Sequence, residues 1–342
     1  MRKRGLTIAI LLVILFMSII ISASLGSANL SIVNSLRILL SRIPILNQFV
    51  SIEDMKQTYI TIVWNIRLPR ILLAGLTGSG LAVVGGAFQG LFRNPLADPH
   101  ILGVSSGAAL GATLAMLSGL TVNWLGLGVI GIFAFIGALI TVFLVYHLAK
   151  LGTSTSVASM LLTGTAISTM LSAVISLLMT FHRDQIEKVY MWTMGSFSAA
   201  TWSKVAFEAG IIILCSAVII IYSKDLNVIL TGEDTAKSLG IDIERVKRII
   251  IVMASLLVAA CVSVSGIIGF VGLIIPHCIR LVSGPDHGKL LPYSLLGGAI
   301  FMIFCDTIAR TIASPTEIPV GVITAVFGAP YFITLLYLRR RG

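Results

Sequence analysis

Three short stretches of this 342-residue chain combine residue types that can recognise a partner or pass on a movement. The first is Ile66-Arg67-Leu68-Pro69-Arg70, at the head of a long apolar run. Arg310 lies near the end of another such run. A guanidinium captures a carboxylate bidentately, so a basic rim of this kind suits an acidic partner. The competing fate of an interfacial arginine is to snorkel toward lipid headgroups. The second stretch, Arg93-Asn94-Pro95-Leu96-Ala97-Asp98-Pro99, holds two prolines that break helices. Asn94 and Asp98 are suited to cap the helix that follows. The third runs from Leu230 to Gly240. Thr231 can cap a short helix with Glu233 and Asp234 at its positive end, and Gly240 can close it in a left-handed turn. Such a charged helix is either a docking element or a solvated surface, and the residues alone leave both open.

Other chemistry finds less support. Cys215, Cys261, Cys278 and Cys305 all lie inside apolar runs with no Cys-x-x-Cys pair, which is how small core hydrophobes are spaced. His100 and His277 stand at helix ends, where a hydrogen bond is the expectation and not a metal ligand. Gly288-Lys289 lacks the upstream glycine spacing of a phosphate loop. No nucleophile–base pair or metal-spaced His/Glu cluster stands out. The expectation is therefore a chain that is no enzyme, with no resident cofactor and no metal. An ion-gradient-driven secondary transporter is the alternative, and it would need ionisable groups near the bilayer centre. Asp306 reads as the single acid deep in an apolar run, toward one end of it; Arg280 with His277 is the other polar pair.

The elements that must position these residues are legible from composition. The chain is 57% hydrophobic and 11% charged, with a mean hydropathy of +1.02. A soluble domain carries about 25% charged residues, so lipid is the solvent for most of this one. Its apolar runs are continuous, which favours helices over a barrel. The fold class is all-α and polytopic, one transmembrane domain over 1–342 with about ten spans of roughly 20 residues. They are placed at 6–25, 62–91, 98–118, 124–149, 156–180, 203–223, 246–270, 272–283, 291–311 and 320–338. The run from Leu6, behind Arg2-Lys3-Arg4, reads as a first span and not a signal peptide. An even number of spans and the basic clusters at 2–4 and 339–341 put both termini in the cytoplasm. Residues 1–59 are then the first span and an external loop, 181–202 is external, and 225–248 is a cytoplasmic loop. The net charge of +10 is a topology signal for a chain that meets lipid, with no nucleic-acid partner. Gly103, Gly107 and Gly111, and Gly86 and Gly90, are spaced for close helix packing.

The motifs at 67–70 and 93–99, Leu102-Gly103-Val104-Ser105-Ser106-Gly107-Ala108 after the latter, and Gly269 through His277 resemble the FecCD family of ABC permeases. Glu317-Ile318-Pro319-Val320-Gly321 and Phe327-Gly328-Ala329-Pro330 fit the same pattern, so the family core spans about 60–342. The resemblance implies a BtuC-like permease fold in a bacterial inner membrane. It implies import of a metal chelate (ferric siderophore, haem or cobalamin). Its partners would be a second permease copy, two ATPase subunits that bind ATP, and an extracytoplasmic binding protein. It also implies that Arg67, Arg70 and Arg310 face acidic residues of the binding protein, and that Asn94 and Leu96 form a cytoplasmic gate. Gly232, Glu233, Asp234, Thr235, Ala236 and Gly240 would belong to the helix that couples to the ATPase, with Asp234-Thr235 replacing the usual Glu-Ala.

Overall fold

The computed structural model describes residues 2–26, 30–42, 48, 50–52, 55–121, 123–124, 126–151, 154–155 and 157–339. Arg340 and Arg341 of the C-terminal basic cluster lie outside them. Each of the ten apolar runs forms a helix. These are α1 (Arg2–Ser24), the helix ending in α4 (Leu68–Leu91), α5 (Val104–Ser118), α6 (Val129–Leu148), α7 (Val157–Phe181), α9 (Trp202–Ile221), α12 (Ile243–Ser265), α13 (Val271–Ser283), α14 (His287–Thr311) and α15 (Val320–Arg339). Seven are long and apolar enough to cross a bilayer; the apolar stretches of α5, α13 and α15 are shorter.

Helix α4 is the axis of the bundle. It is entered without a break through α3 (Gln57–Thr61) and a π-helical turn, Ile62–Arg67. Nearly all its side chains are buried, as expected of a helix apolar on every face. Its glycines let neighbours come to backbone contact. A Cβ on Gly78 would overlap the carbonyl oxygen of Gly298 in α14, one on Gly85 that of Gly272 in α13, and one on Gly90 the imidazole of His287. The 103–111 ladder works the same way, with Gly107 and Gly111 lying against Gly137 and Phe133 of α6.

Left-handed residues shorten two of the expected spans. Residues Pro99–Leu102 form a single 3₁₀ turn, and Gly103, at φ 75°, holds α5 off until Val104. Gly266, at φ 73°, ends α12 at Ser265, and Phe270, at φ 71°, starts α13. Segment 26–61 contains α2 (Ile32–Leu40), opened by Ser31, whose hydroxyl accepts from the Asn34 N–H at 3.1 Å. Segment 182–201 contains α8 (Ile186–Thr193), and segment 222–242 holds α10 (Ser223–Thr231) and α11 (Glu233–Ser238).

The 24 residues of α4 rise about 36 Å and separate two polar ends of the bundle. Arg67, Arg70 and Arg310 gather at one; residues 93–98 and α11 gather at the other. Between them, α7 keeps most of its apolar side chains exposed, with Leu162 at 73% and Phe181 at 75%.

Candidate functional site

At the arginine end, the three guanidinium groups point inward. Helix α1 stops at Ser24, so its last carbonyls lack intrahelical partners. Arg67 Nη1 donates to the carbonyls of Ala23 at 2.7 Å and Ser24 at 3.0 Å. Arg310 Nη1 donates to Leu25 O at 2.8 Å, and its Nη2 donates to the Ser22 carbonyl and, at 2.8 Å, to Ser22 Oγ. Positive charge at a helix C-terminus also complements its dipole. Arg70 does something different. Its Nε and Nη2 donate to Asp306 at 2.9–3.1 Å, and its Nη1 donates to both oxygens of Glu317, at 2.8 and 2.9 Å. Arg310 Nε stands 3.8 Å from Asp306. One buried carboxylate therefore neutralises two arginines. The three are neither splayed into lipid nor standing free at the surface.

At the opposite end, α4 closes in a Schellman turn: Arg93 N–H donates to Gly90 O, and Asn94 N–H to Gln89 O, both at 3.2 Å. Arg93 sits at φ 49°, where glycine is usual. Asn94 does not cap α5; its Oδ1 accepts from Leu96 N–H at 3.0 Å and tightens the turn locally, because Pro95 and the 3₁₀ segment separate it from that helix. Asp98 caps the 3₁₀ turn through His100 N–H at 2.8 Å. Asn94 is exposed and Leu96 half-buried.

Helix α11 is displaced by one residue from its expected start. Thr231 ends α10, its hydroxyl bonded back to Val228 O, and Gly232, at φ 136°, stands at the cap position. Gly240, at φ 82°, closes α11 in a second Schellman turn: its N–H donates to Lys237 O at 2.9 Å, and Ile241 N–H to Ala236 O at 3.0 Å. Ala236 is fully buried, Asp234 and Thr235 are exposed, and Leu239 is 66% exposed. Glu233 ties the two motifs together. Its carboxylate takes Lys247 Nζ from α12 at 3.1 Å and faces Arg93 Nη2 at 3.6 Å. The hydrogen bond from Lys247 leads the causes that hold its pKa below the usual carboxylate range, with the charges of Lys247, Arg93 and Lys237 adding to it. Beside it, Asn227 of α10 donates to Asp286 and accepts from the His287 backbone N–H and Nδ1, which joins α10 to the start of α14.

A cavity of about 820 Å³ opens near the arginine end, lined by Met116, Val129, Lys188, Trp192, Lys204 and Glu317 among others. Its wall is pinned by backbone bonds: Ser196 N–H to Ser265 O at 2.7 Å, and Val320 and Gly321 N–H to Gly195 and Met194 O, both at 3.1 Å. His100 fulfils its expected role, its Nε2 bonded to Ile268 O at 2.9 Å. Arg280 donates to Gln89 of α4 at 2.8 Å.

Sequence reasoning left four participants without their partners. Glu208 contradicts the reading of Asp306 as the single deep acid. It is fully buried in α9 and accepts from Thr77 Oγ1 at 2.7 Å. Its place inside an apolar run was visible in the sequence, within the span expected at 203–223. Arg93 and Glu317 stand inside motifs read from the sequence, yet nothing local pairs them with Glu233 and Arg70, which lie far along the chain; Lys247 reaches Glu233 from 14 residues away, on the helix that follows.

The family model for the FecCD transport family matches residues 11–338. The chain is 46% identical over 282 residues to the cobalamin import system permease protein BtuC of Halobacterium salinarum, covering 82% of this chain and 74% of that one. It is 37% identical over 334 residues to the molybdate import system permease protein MolB of Haemophilus influenzae, covering 97% and 95%. A solved structure of a metal-chelate type ABC transporter in an inward-facing conformation superposes with a TM-score of 0.83 at 33% identity, over 97% of this chain and 99% of that one. The helical bundle, its two polar ends and this match over nearly the whole length make the chain a member of the FecCD transport family of ABC permeases.

Proposed function

We propose that this chain is the permease subunit of a binding-protein-dependent ABC importer that carries a metal chelate inward across a bacterial inner membrane, both termini being cytoplasmic. The observation that carries the reading is Glu233, which links helix α11 to the turn at 93–98 through Arg93 and to the bundle through Lys247. Two ATPase subunits bind and hydrolyse ATP beneath the membrane. They push on α11, with the exposed Leu239, Asp234 and Thr235 as contact surface and the buried Ala236 as its anchor. Movement of α11 is transmitted through Glu233 to the turn holding Asn94 and Leu96, which opens or shuts the inner mouth. The arginine end faces outward and receives the binding protein. The exposed apolar flank of α7 supports a pathway formed against a second copy of the chain.

The cobalamin relative and the metal-chelate neighbour favour cobalamin, haem or a ferric siderophore as cargo. The molybdate relative, which covers nearly the whole chain, supports a small metal oxyanion as the second reading. The test is uptake by proteoliposomes holding the permease, its ATPase and its binding protein, supplied in turn with cobalamin, haem, a ferric siderophore and molybdate. Uptake of one chelate that requires ATP and survives collapse of ion gradients is expected. Replacing Gly240 with leucine, which is strained at φ 82°, is expected to leave ATP hydrolysis running without uptake. Uptake by the permease alone on a proton or sodium gradient refutes the reading.

A further inference from the structure

Two carboxylates hold Arg70, and they differ in what holding it costs them. The side chain of Asp306 is 1% exposed and shared with Arg310; that of Glu317 is 42% exposed and bonded to the outer edge of the guanidinium. A buried pair cannot be broken without stranding charge in a poorly solvated site. A pair whose acid is half in water exchanges that acid at little cost. Arg67 and Arg310 are buried and bonded to the end carbonyls of α1. Nη1 of Arg70 is thus a donor whose carboxylate partner can leave to solvent.

Glu317 is also coupled to the cavity wall. It begins the segment that runs through Val320 and Gly321, whose amides hold Gly195 and Met194 at the end of α8, and Ile318 N–H is bonded to Ala309 O of α14 at 2.9 Å. Glu317 and Ile318 themselves line the cavity. The segment that Glu317 begins is thereby joined to the mouth of the bundle through backbone hydrogen bonds.

We propose that Glu317 is a built-in occupant of the docking site, holding the solvent-facing edge of Arg70 until an acidic side chain of the extracytoplasmic partner replaces it, and that its release loosens residues 317–321 from the end of α8. The proposal rests on the reading of the arginine end as the docking face. It converts that face from a fixed basic patch into a carboxylate-exchange site, in which the partner's acid competes with one of the permease's own. Docking and loosening of the outer mouth then become one event.

The test uses the intact transporter, permease with ATPase in nanodiscs, and the purified binding protein that stimulates its ATP hydrolysis. The apparent Kd for that protein is compared in wild type, E317Q and E317A. Both variants are expected to bind about two- to tenfold more tightly, since the internal competitor is gone. The gain is expected to vanish in the R70Q background, an outcome that a merely structural Glu317 does not produce. Hydrogen exchange at the Val320 and Gly321 amides is expected to speed up in E317Q, and in wild type when the binding protein is added. Unchanged or weaker binding in both variants overturns the exchange, and unchanged protection of those amides overturns the link to the mouth. If no binding protein stimulates hydrolysis by the wild-type complex, the docking reading fails and the proposal with it.

Discussion

Substituting Asp306 by asparagine removes one negative charge and one accepting oxygen at almost no change of volume, so its effect reports charge and hydrogen bonding and not packing. Asp306 accepts three hydrogen bonds from Arg70 and faces Arg310, and its side chain is 1% exposed. The amide leaves Arg310 without its carboxylate and Arg70 with Glu317 alone, and breaking a buried pair from one side costs about 3–5 kcal/mol. E317Q removes a charge from the same arginine at a 42% exposed position, where the loss is at most about 1 kcal/mol. For a chain of this length, the unfolding entropy scale converts about 3–5 kcal/mol to a drop of roughly 4–7 °C in melting midpoint, against roughly 1 °C for E317Q. Thermal unfolding of both purified variants in one detergent, monitored by loss of monodisperse protein, makes the comparison. D306N combined with R70M is expected to recover part of the loss, because a buried guanidinium goes with its carboxylate. Equal midpoints for D306N and E317Q refute the assignment of Asp306 as the buried counter-ion of the arginine end.

Glu233 is held below its ordinary pKa by Lys247, so its contribution is fully present above the unfolded carboxylate value, about 4.3, and is lost as pH falls through the lower folded value. A spin label at Ser238 is expected to stay immobile from pH 8 to about pH 5 and to loosen only in stronger acid, whereas E233Q is mobile throughout; mobility changing near neutral pH contradicts this. Replacing Gly78 by alanine drives a methyl into the Gly298 carbonyl and is expected to cost about 1–3 kcal/mol, read as lowered melting midpoint, while G210A, on α9 with open space around it, is expected within about 0.5 kcal/mol of wild type. E208Q retains the oxygen that accepts from Thr77 and is expected to preserve ATP-driven uptake, including with proton gradients collapsed by ionophore; abolished uptake in E208Q assigns Glu208 a proton-carrying role and revives the gradient-driven alternative.

The long-period features of the chain were legible because lipid imposes them. Every apolar run of bilayer length had to be a helix, and each became one. What shortened α5 and α12 was invisible to hydropathy: Gly103 and Gly266 take positive-φ conformations and lie close against neighbouring segments. The cap at Gly232 was misplaced by one residue for a related reason, since Thr231 can serve equally as an N-cap or as the last residue of the preceding helix. Arg67, Arg70 and Arg310 were visible as basic residues out of place. Their fates were not, because Asp306 and Glu317 lie more than 200 residues along the chain from Arg70.

This division has a physical reason that bears on mechanism. Local rules specify helices, turns and caps, the parts that the proposed importer reading keeps rigid. The charged contacts of Arg70 with Glu317 and of Glu233 with Arg93 join segments far apart in the chain that no local rule relates, and Lys247 adds a second cation to Glu233 from the next helix. Each has an acid that is more than 40% exposed set against a cation anchored on a spanning helix or its end, so each can break without unfolding anything. Asp306 is the contrast: it too joins segments far apart, but its burial makes the bond to Arg70 part of the fixed frame. A conduit that must open at either end needs joints that solvent can reach and a centre that it cannot. The distribution of exposed and buried acids in this chain meets that requirement at both ends.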